Sequence, residues 1–395
     1  MSRILFIAIP EKGHINPMIG PAVWLQKGGH AVGFHAMHDI SPQLRAAGLR
    51  PAAGVAEAPP PPDLNRGEFF AEKVRDPAWL RGWIHRLLIE EAPAQIDPLE
   101  KVIRDFEADV VVTDPMIYAA AVAAHRAGVP WVAMSNSLNP VLDGGIESDL
   151  LDTVRWLSPA RSALFEEHGM QVAFRGCDML SEDLTIAFTT REFVGHDVPG
   201  VEMVGPSLPP DLRGDETGFP WERLRPPVVY ASFGSQVFHQ PRIFRLLIEA
   251  TSTMDCQLVL SVNQLLGSER LGELPPHVLA CHYAPQLELL PKVAAFVTHG
   301  GANSVMEALH FGVPLLISPV CNDQFHQSHV IDRAGVGRTL DLGSAGVEET
   351  RAALFGLMRD DAIRTSLQRV SQSYQVDGAR RAAELIERLA TRTAA

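Results

Sequence analysis

The chain alternates short apolar runs with helical segments twice, once on each side of a proline-rich stretch. In the first half, apolar runs at 4–9 and 109–114 each precede a helical segment, and the same order restarts at 228–232. Runs that are apolar throughout are typical of parallel strands covered by helices on both faces. The pattern predicts an α/β chain with two doubly wound sheets, in which a loop at 10–17 leads into the first helix at 18–27.

Residues 206–227 form the predicted linker between the two halves. This segment contains six prolines among glycines and charged residues: Pro206, Pro209, Pro210, Pro220, Pro226 and Pro227. Proline lacks the N–H group that helices and central strands need, so neither is expected here. The predicted domains are therefore 1–205 and 228–375, followed by a helical tail at 376–395.

Composition and charge exclude several classes of protein. A length of 395 residues fits about two domains. The formal charge of −13, from 34 basic and 47 acidic residues, opposes a nucleic-acid partner because such binding needs a basic surface. No apolar run reaches about 18 residues, so no transmembrane helix is predicted. The N-terminal residues also lack the features of a secretory signal.

The cysteines indicate a reducing compartment. The four residues stand far apart and form no Cys-x-x-Cys pair: Cys177, Cys256, Cys281 and Cys321. Zinc sites and disulfide frameworks need closer patterning. We therefore expect free thiols in a cytoplasmic protein.

Several polar residues follow predicted strands, where open parallel sheets bind their ligands. These candidates are His14, Asp114, Ser235, Tyr283, His299 and the turn at 322–324. No predicted strand is followed by Gly-x-Gly-x-x-Gly or by a phosphate loop of the Gly-x-x-x-x-Gly-Lys type. Dinucleotide-binding and nucleoside-triphosphatase interpretations are therefore disfavoured.

The turn at 299–304 reads His-Gly-Gly-Ala-Asn-Ser and leads into a predicted helix. Free N–H groups at a helix start bind anions, and glycines allow close backbone approach. His299 adds a side-chain donor. On its own the turn fits a diphosphate site, and it fits equally a plain tight turn in which a serine caps the helix.

The residues around this turn stand at fixed spacings. Tyr283-Ala284-Pro285-Gln286 precedes the turn, and Glu307, Gly312-Val313-Pro314, Pro319 and Asp323-Gln324 follow it. This segment of about 42 residues closely resembles the nucleotide-sugar signature of glycosyltransferase family 1, in particular bacterial enzymes that glycosylate natural products. The loop at 13–17, Gly-His-Ile-Asn-Pro, and the strand at 229–235 look like two further family segments. The resemblance implies the GT-B fold, in which two Rossmann-like domains face a cleft.

The resemblance also implies a donor site in the second domain. Tyr283, where the family usually has tryptophan, would stack on the nucleobase, and Gln286 and Glu307 would hold the ribose hydroxyls. The diphosphate would lie against two turns: Ser235, His299, Gly301, Asn303 and Ser304. The first domain would bind the acceptor, and the tail at 376–395 would pack back on it.

Asp323 and Gln324 would bind the donor sugar. In the family this pair commonly accompanies glucose. A deoxysugar would leave a buried polar group unpaired, at a cost of about 1–3 kcal/mol. UDP-glucose is therefore the first donor expected, ahead of dTDP-deoxysugars.

His14 would be the catalytic base and Asp114 its partner. A helix start beside His14 disfavours the imidazolium, so we expect the free base. Asp114 would hold the other ring nitrogen and stabilise the cation once it forms. One base without a nucleophile implies inversion at the anomeric carbon.

No metal or other cofactor is expected, because the start of a helix would stabilise the leaving diphosphate. The sequence contains no Asp-x-Asp motif. His326 and His329 are spaced by one helical turn, but a third ligand is not evident.

The acceptor is expected to be a hydrophobic small molecule. Aromatic residues occur in or beside the segments at 51–75 and 139–180, the latter predicted to be irregular to helical: Phe69, Phe70, Trp79, Trp83 and Trp156. Such residues belong to a protein core more often than to a pocket. A lipidic acceptor would bring contact with a membrane surface, and the chain is expected to be a monomer or a homodimer. A non-catalytic sugar-nucleotide-binding partner of the same fold and a nucleotide-sugar epimerase remain as alternatives.

Overall fold

The computed structural model describes residues 1–49, 66–211, 213–214 and 218–393. Much of the predicted loop at 51–75, and residues 212 and 215–217 of the predicted linker, lie outside the described residues. The described chain forms two parallel sheets of six strands each, one on each side of the linker. This arrangement confirms the predicted α/β fold.

The first sheet has the strand order β2-β1-β3-β4-β7-β8, and all of its pairs are parallel. Strands β5 and β6 form a separate antiparallel hairpin. The strands of this half are β1 (Arg3–Ile7), β2 (Ala31–His35), β3 (Val110–Thr113), β4 (Trp131–Ser135), β5 (Ala173–Arg175), β6 (Asp178–Leu180), β7 (Leu184–Ala187) and β8 (Glu202–Met203).

Eight α-helices accompany the first sheet in the part of this half that is described. They are α1 (Lys12–Lys27), α2 (Ser41–Ala46), α3 (Arg66–Lys73), α4 (Pro77–His85), α5 (Ala92–Phe106), α6 (Tyr118–Ala127), α7 (Asp149–Glu166) and α8 (Arg191–Val194). Side-chain caps start two of them: Asp76 accepts from backbone N–H groups of α4, and Ser148 from one of α7. Helix α7 and the β5–β6 hairpin account for much of the segment at 139–180, whose hairpin was not predicted.

The second sheet has the strand order β11-β10-β9-β12-β13-β14 and is also parallel throughout. Its strands are β9 (Val228–Ser232), β10 (Gln257–Ser261), β11 (Val278–Cys281), β12 (Ala295–Thr298), β13 (Leu315–Ile317) and β14 (Gly337–Thr339). The helices are α9 (Pro241–Thr251), α10 (Gln286–Leu289), α11 (Ala302–Phe311), α12 (Gln324–Ala334), α13 (Val347–Arg359), α14 (Asp361–Ser373) and α15 (Gly378–Thr393). Short 3-10 turns at 139–141, 221–223, 263–265 and 290–292 and a π-helical turn at 86–90 complete the described elements.

Strand β1 shows why the sequences of these strands are apolar at every position. Ile4 and Phe6 pack into one buried cluster, and Leu5 and Ile7 pack into another on the opposite face. Side chains alternate between the faces of a strand, so a strand that helices cover on both sides must be apolar at every position.

Helix α15 packs on the first half. A Cβ atom on Gly20 of α1 would lie 2.7 Å from the Cβ atom of Ala379, so the two helices approach as closely as glycine allows. His30 also lies with its Nε2 atom 3.2 Å from a carboxylate oxygen of Glu387. The end of the chain therefore contacts the half of the molecule that begins it.

Helix α1 begins at Lys12, earlier than predicted. The sequence predicted a loop through Pro17, since proline breaks hydrogen bonding inside helices. Pro17 and Pro21 both lie within the helix, and their missing N–H groups leave the carbonyls of Gly13 and Pro17 without their usual intrahelical donors. The hydroxyl of Ser207 donates to the Pro17 carbonyl at 2.6 Å. The linker therefore replaces one of the two hydrogen bonds that the prolines remove.

Candidate active site

A cleft of about 280 Å³ lies between the carboxyl ends of the two sheets. Its lining includes all but one of the residues predicted for the site: His14, Ser235, Tyr283, Gln286, His299, Gly301, Asn303, Ser304, Glu307, Asp323 and Gln324. The remaining residue, Asp114, lies behind His14. Residues separated by as many as 310 positions in the chain thus meet at one site, as expected for ligand binding at strand ends.

His14 and Asp114 form a hydrogen-bonded pair. The Nδ1 atom of His14 lies 2.5 Å from Oδ2 of Asp114. Asp114 follows β3 and is 1% exposed, whereas the His14 side chain keeps 20% of its surface exposed. The Oδ1 atom of Asp114 also accepts the backbone N–H of Met116, which fixes the carboxylate. This geometry leaves the Nε2 atom of His14 available to a ligand.

The protonation state of His14 differs from the prediction. Burial lowers its pKa, but the charge and hydrogen bond of Asp114 outweigh burial and raise the pKa from 6.5 to about 9. Glu11 and Asp323 add to the same effect. The sequence predicted that the helix start would keep the free base. His14 does lie in the first turn of α1, as predicted. The adjacent Asp114 carboxylate nevertheless favours the imidazolium near neutral pH.

The Gly13 carbonyl, which Pro17 deprives of its intrahelical donor, accepts two side-chain amides. The Nδ2 atom of Asn136, after β4, donates to it at 3.0 Å, and that of Asn303, in α11, donates at 2.9 Å. The turn that carries His14 is therefore held from both halves of the molecule. Asn303 was predicted as a phosphate ligand, and in this structure its amide binds the turn beside His14. Asn136 was not predicted.

The turn after β12 places His299 at the cleft. Burial lowers the pKa of His299 to about 4, so the ring is neutral at physiological pH and donates through one nitrogen. Gly234 has φ +70, and a Cβ atom there would lie 2.8 Å from the ring, which explains the glycine after β9. Ser235 follows it at the cleft.

The N-terminus of α11 has no side-chain cap. Gly301 is its N-cap residue, and Ser304 lies inside the first turn, so the alternative of a turn capped by serine is wrong. Free N–H groups at such a helix start attract anions. Gly301 also faces His299, because a Cβ atom on it would lie 2.6 Å from Nε2.

At another part of the cleft, Tyr283, Gln286 and Glu307 lie together. The ammonium of Lys12 lies 3.8 Å from the centre of the Tyr283 ring and covers one of its faces. Gln286 donates from Nε2 to Oε2 of Glu307 at 2.7 Å, and Tyr230 donates to Oε1 of Gln286 at 3.2 Å. Lys12 was missed because the first loop is remote from this segment in sequence.

Asp323 and Gln324 begin helix α12. Burial raises the pKa of Asp323, and nearby His14 opposes this. Gln324 uses its carbonyl oxygen within the chain, because Oε1 accepts the backbone N–H groups of Val320 and Cys321 at 2.8 and 3.1 Å. Its amide N–H groups are therefore the part that can bind a ligand, whereas Asp323 offers acceptors.

Known proteins resemble this chain over nearly its full length. Residues 245–389 match the family described as Erythromycin biosynthesis protein CIII-like, C-terminal domain. The NDP-glycosyltransferase YjiC of Bacillus subtilis is 25% identical over 98% of this chain and 96% of its own. The oleandomycin glycosyltransferase of Streptomyces antibioticus is 27% identical over 98% and 90%. In the solved structures, the calicheamicin glycosyltransferase CalG4 covers all of both chains with a TM-score of 0.75 at 24% identity.

The chain is a glycosyltransferase and resembles enzymes of antibiotic biosynthesis. The predicted family resemblance is thereby confirmed, and the likeness to CalG4 confirms the GT-B fold. In this glycosyltransferase, the residues predicted to bind the nucleotide sugar line one side of the cleft.

The opposite side of the glycosyltransferase cleft combines an apolar wall with polar residues such as Lys12, Asn16 and Asn136. Its wall comes from the first half of the chain: Ile9, Trp83, Ile84, Leu87, Met116 and Leu150. Of the five aromatic residues predicted near the acceptor, Trp83 is the one in this wall. Phe70 and Trp79 pack against Trp83 in a cluster of rings. Trp156 is 53% exposed beside Arg81 and His85, so its position on α7 keeps it out of the lining.

Of the two histidines considered as metal ligands, His326 and His329, the first has another role in the described structure. His326 is fully buried, and its Nε2 atom lies 2.7 Å from the hydroxyl of Ser148, the cap of α7. Within the described ranges, no group of three or more His, Cys, Asp and Glu side chains could hold a metal ion.

The four cysteines are free. None of the helices in those ranges is long and apolar enough to cross a bilayer.

Proposed function

We propose that this glycosyltransferase moves glucose from UDP-glucose to a hydroxyl of a hydrophobic small molecule, with inversion at the anomeric carbon. The observation that carries the proposal is the position of His14. His14 lines the same cleft as the apolar wall and the residues of the donor signature, and Asp114 is hydrogen-bonded to its Nδ1 atom. A base at this point can meet both an acceptor hydroxyl and a donor sugar.

The chemistry follows from these groups. The acceptor oxygen attacks the anomeric carbon as its proton passes to Nε2 of His14, and the bond from that carbon to the diphosphate oxygen breaks. Asp114 stabilises the imidazolium that forms. The N–H groups at the start of α11 and the neutral His299 stabilise the charge of the leaving UDP, which is why we propose a reaction without metal.

A hydrophobic acceptor is supported by the wall around Trp83 and Leu87. The relatives of this chain include an oleandomycin glycosyltransferase and a demethyllactenocin mycarosyltransferase. We therefore extend the proposal to glycosylation of a natural product of the antibiotic type.

A second donor class is kept because of two solved structures of similar fold. One is described as VinC in complex with dTDP and the other as a spinosyn rhamnosyltransferase complexed with thymidine diphosphate. Asp323 and the Gln324 amide favour a hydroxyl-rich sugar, and this favours UDP-glucose over a dTDP-deoxysugar.

The test is an acceptor screen read by mass spectrometry, with UDP-glucose and dTDP-glucose offered in parallel. We expect a product heavier by one hexose with UDP-glucose, and a loss of roughly 10²–10⁴-fold in turnover for His14→Ala. Incubation with UDP-glucose alone tests the epimerase alternative, since a new nucleotide sugar would support it. The proposal is contradicted if no acceptor in the panel is glycosylated, or if an acceptor is glycosylated and His14→Ala keeps full activity on it.

A further inference from the structure

Glu307 is a buried carboxylate at the cleft with both oxygens already hydrogen-bonded. It is 1% exposed, and its Oε2 atom accepts the amide of Gln286 at 2.7 Å. Its Oε1 atom forms an ion pair with the guanidinium of Arg213, which is itself 4% exposed. A buried charge of this kind requires a counter-charge, and Arg213 supplies it.

Arg213 comes from the linker, not from the domain that carries Glu307. The neighbouring residue, Gly214, has φ +86, and a Cβ atom there would lie 2.8 Å from the Ala47 nitrogen and the Gln43 carbonyl oxygen. The backbone next to Arg213 therefore packs against the end of α2 in the first half. Arg213, whose backbone neighbour packs on the first half, thus forms an ion pair that fixes the Glu307 carboxylate of the second half.

Two acceptor positions remain on Glu307. An ionised carboxylate has about four lone-pair sites, and Arg213 and Gln286 use one on each oxygen. The other two match the two neighbouring hydroxyls of a ribose. The Tyr230 hydroxyl also lies near Glu307, and it donates to Gln286.

We infer that Arg213 is a positioning residue for nucleotide recognition: its ion pair orients Glu307 so that the carboxylate accepts both ribose hydroxyls. The inference rests on the proposed nucleotide-sugar function. Because the linker packs on the first half, ribose recognition depends on how the two halves are joined as well as on the donor domain.

The experiment measures the ratio of Kd for 2′-deoxyuridine diphosphate to Kd for UDP by calorimetry. For the unmodified chain we expect a ratio of about 10 to 100, because loss of the 2′-hydroxyl leaves a buried carboxylate site unpaired. Arg213→Met should bring the ratio to within about threefold of one. A role in folding alone would weaken both nucleotides equally and leave the ratio unchanged.

Further variants keep the test sharp. Arg213→Lys retains the charge but not the fork of donors, so we expect partial recovery of the ratio. Glu307→Gln should lower the ratio as Arg213→Met does, and the double variant should lower it no further. The double variant also avoids an unpaired buried charge if Arg213→Met fails to fold. Arg338→Met, which removes a half-exposed pair with Asp360, is the matched control and should leave the ratio unchanged.

A ratio that Arg213→Met and the double variant leave as high as in the unmodified chain overturns the inference. So does an unmodified chain that binds UDP and its 2′-deoxy form equally. Failure of the nucleotide binding on which the inference rests looks different, since the unmodified chain would then bind neither UDP nor thymidine diphosphate.

Discussion

Replacing Asp114 with asparagine should change how the reaction depends on pH as well as how fast it runs. Burial lowers the pKa of His14, but the charge and hydrogen bond of Asp114 raise it, and the net result is a pKa of about 9 instead of 6.5. That rise corresponds to about 3 kcal/mol in favour of the imidazolium. With a pKa of about 9, roughly 1% of His14 is free base at pH 7 and roughly 9% at pH 8. The kcat/KM of the unmodified enzyme should therefore rise nearly tenfold per pH unit up to about pH 8.5.

In Asp114→Asn, burial and the start of α1 remain and both lower the pKa of His14. Its titration should move below pH 6.5, and kcat/KM should stay flat from pH 7 to 9.5. The variant loses stabilisation of the imidazolium formed during the reaction, so we expect a deficit of about 10- to 300-fold at pH 9.5. At pH 7, where little of the unmodified enzyme is free base, the ratio of kcat/KM for the variant to kcat/KM for the unmodified enzyme should be about 100-fold higher than at pH 9.5.

The assay is kcat/KM from pH 6 to 10 at constant ionic strength, with an aliphatic alcohol as acceptor, since an acidic phenol would titrate in the same range. The His14–Asp114 pair should also stabilise the fold fully below pH 6.5, with this contribution lost as pH rises through about 9. The difference in Tm between the two proteins should therefore shrink above pH 9. A flat profile for the unmodified enzyme, or an Asp114→Asn profile that still rises toward pH 9, refutes the reasoning.

Three further outcomes are expected. Activity should persist in EDTA, measured as turnover before and after dialysis, because the start of α11 and His299 replace a cation; loss restored by Mn²⁺ or Mg²⁺ is the contrary result. Asp323→Ala should reduce discrimination among UDP-sugars about tenfold or more with little change in Kd for UDP, and an equal loss of UDP affinity would count against a sugar role. Asn136→Ala should lower kcat about tenfold while Kd for UDP stays constant, because it removes one of two amides on the Gly13 carbonyl; a change in Kd alone would contradict this.

The donor side of the cleft could be predicted from sequence because its residues follow one another at short spacings. His299 follows β12 and Asp323 immediately precedes α12, and the fold brings such positions to one edge of the sheet. The order of elements also predicted two parallel sheets, since wholly apolar runs indicate strands covered on both faces.

The missed residues depend on contacts between distant segments. In the sequence, Arg213 is one of several charged residues in a proline-rich linker, and Asn136 is a polar residue of a loop. Neither position carries a signal that predicts its contact. The start of α1 was misplaced because Pro17 signals a helix break, although amides from two other elements compensate for its missing N–H. The raised pKa of His14 likewise depends on its 2.5 Å contact with Asp114, which follows β3 and lies 100 positions away.

The most direct test of the central claim is the anomeric configuration of the product made from UDP-α-glucose, determined by proton NMR. A single displacement assisted by His14 predicts a β-glucoside. The His14→Ala variant, incubated under the same conditions, serves to show that the product arises at this site. An α-glucoside would contradict the account, because it requires a retaining mechanism in which His14 and Asp114 do not act as base and partner.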